Sequence, residues 1–103
     1  MKLLNAFSLN MLAEFPVQPL FEEIPLTEVR AMLATGFESA VGHADTASVF
    51  TDVLDLPVNT VRATVVLKKG DVAIVGQYRG PRLPEGAVHL PEGATIQWLR
   101  MTV

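Results

Sequence analysis

Clusters of β-branched and apolar residues in the second half of the chain give the clearest strand signals. Residues 61–67 (VRATVVL) and 71–78 (DVAIVGQY) are both rich in valine, and a short KKG stretch lies between them. This pattern predicts an antiparallel hairpin with a glycine-containing loop. Residues 95–103 alternate imperfectly between apolar and polar positions, which predicts a last strand.

The N-terminal part of the chain predicts two further extended segments. Residues 2–7 (KLLNAF) form a first strand or its beginning. Residues 17–25 contain two prolines. Because proline lacks the N–H that an interior strand donates, we expect an edge strand or an extended loop there.

Two amphipathic segments between the first strand and the hairpin predict helices. The first, residues 26–36, has Thr27 as its expected N-cap and a glycine at its end. The second, residues 45–57, has Asp45 or Thr46 as its expected N-cap and a proline just beyond its end. The order strand, helix, helix, hairpin, strand therefore predicts an α/β fold: a single domain over residues 1–103 with a small mixed β-sheet of about five strands flanked by helices.

Composition and charge limit the reactions and the ligands that this chain can support. The chain has 103 residues, 50% of them hydrophobic, with no cysteine, two histidines and a formal net charge of −3. Disulfides and thiolate nucleophiles are thereby excluded, and two separated histidines do not supply a zinc ligand set, so we expect no metal and no cofactor. Because the net charge is negative, an anionic ligand must be held by a local basic cluster.

The opening of the chain has a weak likeness to a signal peptide. One lysine precedes apolar residues, but Asn5, Ser8 and Asn10 interrupt them and no small-residue cleavage site follows. The apolar runs are also far shorter than the roughly 20 residues that span a bilayer. We therefore expect a cytoplasmic protein with no membrane association.

Three short segments carry polar side chains that the fold does not require. In NAFSLN, Asn5 and Ser8 flank the end of a strand, where they contact a ligand or merely terminate the strand. In VGHADT, His43 follows Gly42 and precedes a helix N-terminus, an end that attracts anions. A histidine there is suited to protonate the leaving oxygen of a phosphate ester, and the alternative is a lone surface histidine.

The third segment, YRGPRLPEG, holds Arg79 and Arg82 on either side of a Gly-Pro turn, and Arg62 lies in the neighbouring predicted strand. Arginine offers two parallel donors to phosphate oxygens, although solvated surface charge explains each arginine alone. The sequence LPEGA within this region recurs at residues 90–94, directly after His89. We interpret the second copy as a turn and His89 as a bystander, because no matching motif residue accompanies it.

Taken in order, the three segments resemble the viral ring nuclease family of type III anti-CRISPR proteins. The resemblance is carried by NAFSLNML at the start, by GH before a polar-capped helix, and by RLPEG near the end, and it runs over nearly the whole chain. It implies a homodimer that binds cyclic tetra-adenylate and cuts it to linear di-adenylates without metal, in the host cytoplasm if the protein is viral. No stable binding of DNA is expected.

The resemblance also implies roles for particular residues. His43 would be the general acid, Arg82 would stabilise charge on the phosphorane-like transition state, and Glu85 would orient Arg82 or keep His43 protonated. The substrate's own 2′-hydroxyl would attack, leaving a 2′,3′-cyclic phosphate. The expected ligand-binding residues are Asn5, Ser8, Asn10, Gly42, Arg62, Gln77, Tyr78 and Arg79.

The sequence departs from the family pattern at Pro84, which makes the RLPEG loop stiffer than a segment that closes over a ligand. Two other functions remain open from the residues. One is a non-catalytic protein that binds a cyclic oligonucleotide or another nucleic acid. The other is a regulatory partner that uses a sheet edge for protein contacts.

Overall fold

All of residues 1–103 are described by the computed structural model, and its strands join into one sheet. In chain order the elements are β1 (Lys2–Leu4), a 3₁₀ turn (Leu9–Met11), β2 (Leu20–Glu23), α1 (Leu26–Leu33), β3 (Glu38–Ala40), α2 (Ala44–Leu54), β4 (Val72–Arg79) and β5 (Thr95–Thr102). The sheet order is β2-β5-β4-β1-β3. The predicted α/β class, with a mixed five-stranded sheet and helices in a single domain, is confirmed.

The parallel part of the sheet is centred on β1. This strand runs parallel to both β3 and β4, with Leu4 opposite Ala40 on one side and Val75 on the other. β5 is antiparallel to both β4 and β2. Because parallel strands end at the same edge, the chain leaves β1 and β3 at one edge of the sheet, beside the later half of β4.

The predicted hairpin is wrong in its first half, because residues 61–66 form no strand. Isolated bridges join Thr60 to Val41 and Leu67 to Leu12, and neither belongs to a hairpin. β4 instead pairs along its whole length with β5. The hairpin of this protein is therefore β4–β5, with the loop 80–94 at its tip.

The valine-rich pattern before β4 reflects burial rather than strand pairing. Val65 and Leu67 are buried against the sheet, whereas Val66 between them is 50% exposed. In an extended segment that lies on a sheet face, successive side chains are alternately buried and exposed, as they are in a strand. The C-terminal end of the chain, and not residues 61–66, lies beside the start of β4. There the Val103 N–H donates a hydrogen bond to the Asp71 carbonyl (2.9 Å).

Both helices begin at residues other than those predicted. The N-cap of α1 is Pro25, and Thr27 lies inside the first turn. Proline serves there because its fixed φ and missing N–H cost nothing at a helix start. The N-cap of α2 is His43, so that Asp45 and Thr46 also lie within a first turn rather than before it.

The extended segments near the N-terminus agree with the sequence in part. The first strand ends at Leu4 rather than near residue 7. The proline-containing segment forms β2 at the edge of the sheet, paired only with β5, as predicted. At the opposite edge, Lys2 donates a hydrogen bond to Glu38 (3.1 Å), and this hydrogen bond and the lysine charge lower the pKa of the Glu38 carboxyl.

The helices cover one face of the sheet, and irregular segments cover the other. On the helix face, the rings of Phe50 and Trp98 lie 5.0 Å apart between centroids, within the larger core cluster. On the opposite face, the segments around Met11 and Val65 cover a smaller cluster that includes Met101. Neither helix has the length and apolar character needed to cross a bilayer.

Candidate functional site

His43 lies in the short connection between β3 and α2. Val41 and Gly42 separate it from the end of β3, and it caps α2 in an extended conformation (φ −124°, ψ 129°). Its exposed imidazole makes no hydrogen bond within the protein. The first N–H groups of α2 have no partner within the helix, and they point toward the same end of the molecule.

The loop 80–94 is held closed where it leaves and rejoins the sheet. Arg79 and Thr95 pair directly across the hairpin. Gly80 has a φ of +155°, and a Cβ there would lie 2.7 Å from the Cβ of Ala94. Only glycine therefore allows the two ends of the loop to touch. The Tyr78 hydroxyl also donates to a loop carbonyl, that of the residue after Gly80 (2.5 Å).

The repeated LPEGA sequence forms the same turn twice. In each copy the alanine N–H donates to the proline carbonyl, at 3.1 Å in residues 83–87 and 3.0 Å in residues 90–94. The glycines have φ values of +79° and +80°, which a type II turn requires at its third position. The repeat is therefore a structural feature, and only the first copy reaches the candidate site.

A cavity of about 820 Å³ lies between the start of α2 and the loop 80–94. Four of the predicted site residues line it: His43, Tyr78, Arg82 and Glu85. The side chains of Arg82 and Glu85 are exposed and make no hydrogen bonds within the protein. Residues far apart in sequence are thus brought to one cavity, and their chemical roles stay predictions.

A second cavity, of about 610 Å³, adjoins the first through His43. Asn5, Gly42 and Arg62 of the predicted set line it. The Nε of Arg62 donates to the carbonyl of Gly42 (3.0 Å), which fixes the guanidinium beside the segment that leads to His43. The terminal amino groups of Arg62 make no hydrogen bond within the protein, and the residue is exposed.

The remaining predicted ligand-binding residues line neither cavity. The Ser8 hydroxyl donates to the side-chain oxygen of Asn10 (2.5 Å), and both residues are exposed. Gln77 and Arg79 lie on the face of β4 opposite to Tyr78, because successive side chains of a strand alternate. Any contact of these four residues with a ligand must come from outside the cavity around His43.

Sequence reasoning missed two polar residues of the larger cavity, because it interpreted Asp45 and Thr46 only as helix caps. Both line the larger cavity. One Oδ of Asp45 accepts a hydrogen bond from the Gly86 N–H (3.0 Å), which links α2 to the first LPEGA turn. Their position within one helical turn of His43 is the signal that places them at the same end of α2.

The charges of the larger cavity are mixed. Arg82 is its single guanidinium, and Asp45 and Glu85 are two carboxylates. Beyond Arg82, the groups that can attract an anion are Arg62 in the adjoining cavity and the free N–H groups at the start of α2. No group of three or more His, Asp or Glu side chains is arranged to hold a metal ion.

The other histidine, His89, lies away from both cavities. Its Nδ1 is 3.2 Å from a carboxylate oxygen of Asp52 on α2, and the two side chains are 76% and 46% exposed. An ion pair with that exposure contributes little to stability. The contact places His89 beside the last turn of α2 and not beside its N-terminal end.

The fold and the two cavities define a small α/β domain that presents polar side chains at the edge where parallel strands end. The family model of STIV B116-like proteins matches residues 1–97, and the chain belongs to that family. Among solved structures, B116 of Sulfolobus turreted icosahedral virus (STIV) matches with a TM-score of 0.83 and 25% sequence identity, covering 99% of this chain and 97% of that chain. Comparison with curated proteins gave no match.

These findings confirm the family that the sequence resembles. The match to STIV B116 extends over nearly the whole of both chains, so this chain shares both its family and its fold.

Proposed function

We propose that this protein is a metal-independent ring nuclease that binds cyclic tetra-adenylate across a homodimer and cleaves it to linear di-adenylate with 2′,3′-cyclic phosphate ends. The observation that carries the proposal is the single cavity shared by His43, Arg82 and Glu85 in a chain of the STIV B116-like family. Such an activity removes the signal of type III CRISPR systems. It acts as an anti-CRISPR in a virus and as an off-switch in a cell.

The proposed reaction needs only positioning, charge stabilisation and an acid, because RNA carries its own nucleophile. The 2′-oxygen of a ribose bonds to the adjacent phosphorus while its proton passes to solvent. The bond from phosphorus to the 5′-oxygen breaks, and that oxygen takes a proton from the His43 imidazolium. Arg82 stabilises the charge that accumulates on the phosphorane-like oxygens.

Glu85 supports this step from the same loop. It lies in the LPEGA turn that begins right after Arg82, and its carboxylate lines the cavity with His43. In this role Glu85 orients the Arg82 guanidinium toward the phosphate. Arg62, fixed against the Gly42 carbonyl, supplies a second guanidinium for a neighbouring phosphate.

A homodimer suits this ligand because one protomer presents only one set of catalytic side chains. A twofold axis would place two such sets at opposite phosphates of a four-membered ring. Two cuts then release two identical linear products. The residues outside the cavities, such as Ser8 and Gln77, would contact the parts of the ring that lie away from His43.

The two histidines of the chain provide a matched test. We expect His43→Ala to lower the cleavage rate about 10²- to 10⁴-fold, the range for loss of a general acid. The same variant should still gain thermal stability on adding cyclic tetra-adenylate. His89→Ala, which alters an exposed contact, should cleave at the wild-type rate. The proteins are incubated with the ring in EDTA, and the products are separated by chromatography. Full cleavage by His43→Ala would contradict the proposed role of His43.

One observation favours the alternative of binding without cleavage. No side chain hydrogen-bonds to the His43 imidazole, so nothing in the free protein fixes its orientation. A protein that only sequesters the ring has no need of that orientation. Thermal stabilisation by the ligand with no product after prolonged incubation would establish this function in place of the nuclease.

A further inference from the structure

We propose that Asp45 is a positioning residue, which holds the loop bearing Arg82 and Glu85 in place against the helix that bears His43. The hydrogen bond from the Gly86 N–H to Asp45 Oδ1 (3.0 Å) joins these two parts of the site, which lie 41 residues apart in sequence. The chemical consequence of this contact rests on the proposed function. The contact itself can be measured without any activity.

The loop needs such an attachment. Its start is fixed by the hydrogen bond from Tyr78 to Pro81, and its two turns are closed by hydrogen bonds within the loop. The first turn, residues 83–87, makes one hydrogen bond to another element, and Asp45 accepts it. The His89–Asp52 contact further along is between exposed side chains and adds little restraint.

The chemistry of the contact makes Asp45 a suitable acceptor. A hydrogen bond from an N–H to an ionised carboxylate is stronger than one between neutral groups. A carboxylate in the first turn of a helix is also stabilised by the helix dipole. The type II turn leaves the Gly86 N–H free of bonding within the loop, so it is available to the helix.

The second LPEGA copy supplies an internal comparison. Gly93 occupies the same position in the same type of turn as Gly86, with a φ of +80° against +79°. Its N–H has no side-chain acceptor opposite to it. The two amides share a local sequence and a turn type, and a side-chain carboxylate accepts the N–H of Gly86 but not that of Gly93.

The first arm of the test measures that difference by amide hydrogen exchange. In the wild-type protein, the Gly86 amide should exchange about tenfold more slowly than the Gly93 amide, the protection that one net hydrogen bond gives. In Asp45→Ala the two amides should exchange at similar rates. Asp45→Asn keeps an acceptor oxygen and should keep most of the protection. Equal exchange of the two amides in the wild-type protein would overturn the proposal.

The second arm separates positioning from binding in the cleavage of cyclic tetra-adenylate. In Asp45→Ala, kcat should fall about 10- to 100-fold, because small misplacement of catalytic groups has effects of that size. Both Asp45→Ala and Asp45→Asn remove one negative charge from the cavity, so KM for an anionic ligand should fall to a similar extent in both. Asp45→Asn keeps an oxygen that accepts the same hydrogen bond, so its kcat should stay well above that of Asp45→Ala.

The outcomes distinguish this proposal from the proposed function. If Asp45→Ala loses the Gly86 protection but keeps its kcat, the contact exists and the positioning role is wrong. If Asp45→Asn is as impaired as Asp45→Ala, the carboxylate charge acts directly and the role through Gly86 is wrong. A wild-type protein that binds the ring without cleaving it would overturn the proposed function and the kinetic role together, while the exchange of Gly86 would still report the contact.

Discussion

Gly76 of β4 lies against two aromatic rings, Phe50 of α2 and Trp98 of β5. A Cβ at this position would lie 2.6 Å from Phe50 Cζ and 2.6 Å from Trp98 Cζ3, atoms of the two rings that form the centre of the larger core cluster. The sequence shows only a glycine within a valine-rich strand, which usually weakens that strand. Only the distances show why a glycine is needed there. The two rings belong to residues 26 positions before Gly76 and 22 positions after it, so no local pattern reveals their contact.

Gly76→Ala should destabilise the protein by about 1–3 kcal/mol, because the added methyl group overpacks a filled core. Gly42→Ala is the matched control. A Cβ at Gly42 would meet its nearest atom, Arg62 Cγ, at 3.5 Å, which is an ordinary contact, so its stability should change little. Urea unfolding curves measure both changes. Equal stabilities of the two variants would contradict the steric argument.

At the same scale, the candidate site residues were more predictable than their support. His43, Arg82 and Glu85 stand in short motifs, and the family resemblance that these motifs carry together implied that the three residues meet. The sequence suggested Asp45 only as a helix cap, and nothing local shows that it accepts the N–H of Gly86. A single acceptor for a distant backbone group leaves no pattern in sequence.

At the scale of elements, the strongest local pattern led to the largest error. The alternation at Val65 and Leu67 correctly indicated alternate burial, but strand pairing depends on partners that the pattern does not identify. β4 pairs with β1, some 70 residues earlier, and with β5 across the long loop. Elements whose ends carry local signals were predicted better: the prolines around β2 marked an edge strand.

β2 is attached to the rest of the fold through Arg100 of β5. The Arg100 guanidinium contacts Glu22 of β2 at 3.1 Å and Glu28 of α1 at 3.3 Å, and so joins three elements. Arg100→Met keeps the alkyl contacts and removes the charge, and it should cost about 1 kcal/mol at low salt. Lys2→Met, which breaks a single exposed ion pair, should cost less.

The measurement is unfolding stability at low and high salt, since screening weakens exposed charge pairs. The stability difference between Arg100→Met and the wild type should shrink at high salt. A difference that does not depend on salt would show that packing of the side chain, and not the ion pairs, attaches β2.

At the scale of the whole molecule, the protein leaves several large apolar side chains in contact with solvent. Leu9 is 70% exposed, Phe15 68%, and Leu20 57%. Single exposed apolar residues are common, but the molecule is small and these three belong to its first 20 residues. A second copy of the chain offers one way to cover part of this surface, which agrees with the dimer in the proposed function.

Sedimentation equilibrium should therefore give a mass of twice the 11.2 kDa of one chain. Cyclic tetra-adenylate should shift any remaining monomer to the dimer, because a ligand held by two protomers stabilises their association. A protein that stays monomeric both with and without the ring would contradict the binding of one ring across two copies.

The closed base of the loop 80–94 has a consequence for how relatives of this protein can diverge. The loop begins and ends beside directly paired residues, Arg79 and Thr95, and Gly80 packs against Ala94. Insertions or deletions within it therefore leave the strand register of the sheet unchanged. Changes in this one segment would alter the shape of the larger cavity without altering the sheet. Exchange of the loop between two members by recombination would preserve the fold that carries it.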